Sequence, residues 1–103
     1  MPPSLLDKTL AILTNQGGTL TFCGAEFIDP EYDRPYRYSV RVDLNGVETG
    51  YLETYCTKHE AAGANEWEAS RVQYTANGIN DVYRGRDDNF IEGLAWILGV
   101  DNS

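Results

Sequence analysis

The stretch YRYSVRVDLNGVETGYLETYC, residues 36–56, decides the fold. Tyr36, Tyr38, Val40, Val42 and Leu44 alternate with Arg37, Ser39, Arg41 and Asp43, the period-two pattern of a strand with one apolar and one polar face. Asn45–Gly46 follows, and these two residue types accept the positive φ angles of a two-residue hairpin turn. A two-residue turn predicts Leu44 opposite Val47, Val42 opposite Thr49 and Val40 opposite Tyr51. The other face then carries Arg37, Arg41, Asp43, Glu48 and Leu52, with Arg41 and Glu48 diagonal and able to pair.

Upstream, GTLTFCGAEFID (18–29) predicts a second strand. Leu20 and Phe22 share a face, and Ala25 and Phe27 continue it only if a residue is skipped, which predicts a bulge at Cys23–Gly24. SLLDKTLAILTNQGG (4–18) predicts a helix. Ser4 caps it with Asp7 three residues on, Leu6, Leu10 and Leu13 form its apolar face flanked by Leu5 and Ile12, and Gly17–Gly18 ends it. Downstream, KHEAAGANEWEAS (58–70) predicts a short helical turn or loop, because Gly63 and Asn65 interrupt an Ala- and Glu-rich run. SRVQYTANGINDVYRGR (70–86) alternates again, with Val72, Tyr74 and Ala76 inward and Arg71, Gln73 and Thr75 outward. A turn at Asn77–Gly78 would set Ala76 against Ile79 and Val72 against Tyr83. In DDNFIEGLAWILGVDNS (87–103) Asn89 and Glu92 form a capping box. Phe90, Ile91, Leu94, Ala95, Ile97 and Leu98 make a stripe, Gly99 stops the helix, and Trp96 points roughly 160° away from Leu94. The expected fold is one α+β domain over residues 1–103: an antiparallel sheet of four to five strands with the N- and C-terminal helices packed on one face.

The chain has 103 residues, 42% of them hydrophobic and 23% charged, as in an ordinary globular domain able to hold a core without metal or disulfide. No long apolar run and no basic-then-apolar N-terminal segment occurs, so neither membrane nor export is expected and the cytoplasm is the expected location. Two cysteines, Cys23 and Cys56, do not make a disulfide framework and are expected as small buried hydrophobes.

Sixteen acids against eight bases give a net charge of −8. Such a surface repels phosphate backbones and anionic lipids and attracts basic surfaces. Asp29, Glu31 and Asp33 mimic the opening of a calcium loop, but Arg34 stands where the loop needs glycine and Val40 where it needs the closing glutamate. Pro30 and Pro35 mark a stiff turn instead. Cys56-x-x-His59 with Cys23 is a poor zinc pattern, lacking a second close-spaced pair. A Cys56–His59 dyad would splay apart at a strand end, and no phosphate loop or nucleophile elbow is present. No cofactor, no metal and no enzymatic activity are therefore expected.

The favoured reading is a non-enzymatic acidic adaptor or inhibitor that binds another protein carrying a basic surface. A sharper form of it is a mimic of nucleic-acid charge, as in small phage-type inhibitors. The expected contact residues are Asp29, Glu31, Asp33, Asp87 and Asp88 as steering charges and Trp67 and Trp96 as anchors. The alternatives are a nucleic-acid-binding module using Arg34, Arg37 and Arg41, and a small metal-dependent or hydrolase-like enzyme. Unpaired sheet edges make a homodimer a reasonable assembly.

Overall fold

A computed structural model describes residues 3–28, 30–31, 33–56, 66–84 and 89–100. Helix α1 (Leu5–Asn15) leads into strands β1 (Gly18–Phe27), β2 (Tyr36–Leu44), β3 (Val47–Cys56), β4 (Glu68–Thr75) and β5 (Gly78–Tyr83), and helix α2 (Phe90–Ile97) follows. The five strands form one antiparallel sheet in sequence order, β1-β2-β3-β4-β5. Both helices begin at the expected capping boxes. Ser4 accepts from the Asp7 N–H and Asn89 from the Glu92 N–H, and each acid reaches back to the cap backbone. No helix among the described residues is long and apolar enough to cross a membrane.

The central hairpin turns at Asn45 (φ 52°) and Gly46 (φ 79°), as their composition requires. Its pairing slips by one residue just beyond the turn. Leu44 faces Val47 and Asp43 faces Glu48, but Val42 faces Gly50 and Val40 faces Leu52. Thr49 is the extra residue of this bulge, so the expected Val42–Thr49 and Val40–Tyr51 pairs do not form. Leu52 moves from the predicted polar face into the core, and Tyr51 takes its place outside. The glycine makes the slip profitable. A Cβ on Gly50 would lie 2.4 Å from the Ser70 carbonyl oxygen and 2.6 Å from Ile97 Cγ2. Gly93 likewise lets α2 close onto Leu52.

The second hairpin turns one residue earlier than predicted. Thr75 pairs with Gly78, Tyr74 with Ile79 and Val72 with Asp81, so Ala76–Asn77 is the turn. The faces of β4 are also exchanged. Ala69 pairs with Leu52 and is buried, which puts Arg71 beneath α2 and leaves Val72 and Tyr74 on the opposite side. The predicted bulge in β1 is present, with the register shifting between Phe22 and Ala25 and Gly24 at φ 80°.

Val40, Val42, Leu52, Trp67, Ala69, Leu94 and Ile97 form the core between the sheet and the helices, with Leu13, Leu20, Tyr38, Phe90, Trp96 and Leu98 packed around them. On α1 the buried residue is Thr9, its hydroxyl satisfied by the Leu5 carbonyl at 2.7 Å, while Leu6 and Leu10 stay exposed. The predicted leucine face is thus rotated. A short residue whose hydroxyl is bonded inside its own helix lets the helix backbone pack more closely than leucine would. Cys23 is exposed at the bulge and Cys56 half-buried, with no bridge between them, so Cys23 does not behave as a buried hydrophobe. The predicted turn or loop falls mostly on residues 57–65, outside the described residues, as does His59.

Candidate functional site

The described members of the expected contact set, Glu31, Asp33, Trp67 and Trp96, do not converge. Asp29, Asp87 and Asp88 lie outside the described residues. Glu31 and Asp33 are exposed in the turn between β1 and β2, which closes through the Ile28 N–H to the Pro35 carbonyl. Trp67 is no surface anchor. It is 5% exposed, edge-on to Tyr38 and Phe90 with ring centroids at 6.4 and 5.1 Å. The strict alternation of its neighbours Glu66 and Glu68 hid this, because both acids turn away from the core that receives the indole.

Trp96 is half-buried at the other end of the molecule. The Arg71 guanidinium stacks 4.1 Å above its ring and Arg84 lies 5.5 Å from it. Arg71 Nε also donates to the Trp96 carbonyl oxygen at 2.9 Å, and its Nη2 donates to the same oxygen. The last turn of α2 carries no cation of its own. Arg71 supplies one from the sheet and satisfies an end carbonyl of the helix. Arg71 stands opposite Gly50, near the Asn45–Gly46 end, while Glu31 and Asp33 flank the Phe27–Tyr36 end. Roughly 20 Å of strand separates the two.

What the fold does bring together is the sheet face that neither helix covers. Alternation and register place Glu26, Asp43, Glu48, Glu53, Glu68 and Asp81 on it, against Arg37 and Arg41. Tyr51, Tyr55, Tyr74 and Tyr83 stand among them. Arg37 lies 2.9 Å from Glu26 and 3.5 Å from Glu53; Arg41 lies 2.8 Å from Asp43 and 3.3 Å from Glu48, the diagonal pair expected from sequence. Hydrogen bonds to Glu26 and Asp43 hold the two guanidiniums above the ordinary arginine range. The third arginine of the nucleic-acid alternative, Arg34, pairs with Glu66 at 3.3 Å. The Tyr51 hydroxyl donates to Asp81 at 3.1 Å and the Tyr74 hydroxyl to the Glu48 carbonyl at 2.6 Å, which fixes both rings.

One pair on this face works against the fold. Glu53 and Glu68 stand directly opposite each other on β3 and β4. Burial first, and then the Glu68 charge, push the Glu53 carboxyl above the ordinary range, against the pull of Arg37. Facing like charges in a sheet destabilise it. Because the folded-state value is raised, protonation favours the native state. Stability held below the ordinary glutamate range is therefore lost as pH rises through the raised one. Glu53→Gln is accordingly expected to be no less stable than the parent at neutral pH, and more stable by about 0.5 kcal/mol. That advantage should disappear once the Glu53 carboxyl is protonated, which thermal melts across pH will measure.

Among the described residues no three His, Cys, Asp or Glu side chains converge on a common point for a metal. A shallow apolar groove lies between the N-terminal ends of the helices, lined by Leu5, Leu6, Phe90 and Ile91. The fold and this face together define a small α+β protein whose sheet is covered by helices on one side and presents tyrosines and carboxylates on the other. No protein-family model, no curated protein and no solved structure matches the chain.

Proposed function

We propose that the protein is a non-enzymatic acidic binding module, an adaptor or inhibitor that recognises a basic protein surface through the open face of its sheet. One observation carries this reading: six carboxylates share a rigid surface with two arginines, and each arginine is already committed to two of them. The surplus charge is negative and faces outward. Tyrosines fixed by hydrogen bonds add contact area that costs little entropy to immobilise, as at interface hot spots. The opposed Glu53 and Glu68 gain most from a partner, because one lysine or arginine seated between them relieves their repulsion and pairs both. The same saturation of Arg34, Arg37 and Arg41 weighs against a nucleic-acid-binding module, whose phosphates would have to displace carboxylates already in place.

The test is a tagged chain used as bait in host lysate with nuclease present, beside the double variant Glu53→Gln/Glu68→Gln. A protein captured by the parent is expected to bind the double variant at least tenfold more weakly, with a flatter salt dependence and no loss of melting temperature in the variant. Equal binding by the double variant, or a partner released by nuclease, would overturn the proposal.

A further inference from the structure

We infer that the outer edge of β1 is a dimerisation surface for a second copy of this chain, the two β1 strands pairing antiparallel about a two-fold axis near Leu20. Among the described residues no strand pairs with that edge. Long, flat, apolar edges are normally blunted by lysine, proline or a bulge. The bulge at Cys23–Gly24 protects only the second half of β1. The first half, Gly18–Phe22, has the sequence GTLTF, with no charge, no proline and no irregularity.

Charge selects the occupant. Two copies that each carry −8 can meet only where carboxylates are few. All of β1 contains a single acid, Glu26, already paired with Arg37. A basic partner finds nothing here to attract it, whereas an identical strand does: antiparallel pairing of a segment with itself is complementary in hydrogen bonds by symmetry.

Side chains above the edge fit the same geometry. Phe22 is 60% exposed, and Leu10 and Leu6 are 50% and 45% exposed. Leu10 shares a helical stripe with Leu13, which packs on Gly18 where α1 passes into β1, whereas Leu6 lines the groove toward Phe90. With the axis at Leu20, Phe22 stands opposite Gly18 of the second copy. There Leu13 of that copy already occupies the place of the missing side chain, so the phenyl ring meets Leu13. The contact is smaller than the about 800 Å² per partner of a standard stable interface, so the dimer is a weak one that depends on concentration.

Sedimentation of the full chain from micromolar to millimolar concentration, at low and high salt, tests this. The expected result is a monomer–dimer equilibrium that shifts toward dimer as salt screens the like charges. Phe22→Glu and Leu10→Glu, both at exposed positions, should each weaken the dimer at least tenfold; Ile79→Glu, at an exposed position on the opposite edge, should leave it unchanged. Circular dichroism reports folding, and if Phe22→Glu misfolds then Leu10→Glu decides. A monomer at every concentration and salt, a dimer indifferent to the deciding variants, loss of the dimer in a folded Ile79→Glu, or growth beyond two copies would each overturn the inference.

Discussion

Replacing Trp67 by alanine is expected to remove a large part of the stability of the protein. The indole is buried where β4 begins, and it meets Tyr38 from β2 and Phe90 from α2. It therefore joins three elements that are far apart in sequence. Truncating a buried tryptophan costs about 3–5 kcal/mol, partly in lost transfer energy and partly in the cavity left behind. A domain of this size holds only about 5–15 kcal/mol in total. The melting temperature should fall by more than about 15 °C. Trp67→Phe, which keeps an aromatic edge against Phe90, should cost clearly less. Thermal denaturation of the three proteins measures this, and it separates a core role from a docking one. An anchor at a binding surface would lose partner affinity while melting where the parent melts.

Gly50→Ala is expected to be nearly as damaging although it adds a single carbon. The new Cβ would meet the Ser70 carbonyl oxygen at 2.4 Å, a backbone atom of the paired strand, and Ile97 at 2.6 Å, a side chain of the covering helix. Neither can retreat alone: one is held by the sheet and the other by the core. Overpacking of this kind costs about 1–3 kcal/mol, and the upper end applies because backbone must move. Gly93→Ala is the control. Its Cβ meets the far end of the Leu52 side chain at 2.7 Å, which can change rotamer, and alanine recovers about 1 kcal/mol of helix propensity. Denaturant titrations should therefore show a large shift for Gly50→Ala and a small one for Gly93→Ala.

The local grammar of the chain was readable where one residue type answers one backbone need. Ser4 with Asp7, Asn89 with Glu92, Asn45–Gly46 and Gly24 each did so, and each stands where its chemistry put it. Legibility ended where the answer depended on a neighbour. Leucine count favours Leu6 and Leu10 as the inner side of α1, but close packing of the helix selects Thr9. Alternation in β3 and β4 was visible, yet its phase was set by Gly50 beneath Ile97 and by Arg71 beneath Trp96. A glycine inside an otherwise regular strand was the signal for the first of these. The site suffered most from this. The outward placement of Arg37, Arg41, Asp43 and Glu48 was foreseen, whereas Tyr74 had been assigned inward, and Glu53 opposite Glu68 could be read only with the register known.

The order β1-β2-β3-β4-β5 bears on how the polypeptide assembles during synthesis. Every strand finds its mate one connection away, so pairing proceeds hairpin by hairpin with short loops to close. The roof over β3 and β4, however, is α2, which the ribosome releases only after the whole meander. Without that cover the sheet leaves Val40, Val42 and Leu52 open, and a released chain truncated just before residue 90 should be a paired but sticky intermediate that chaperones would hold.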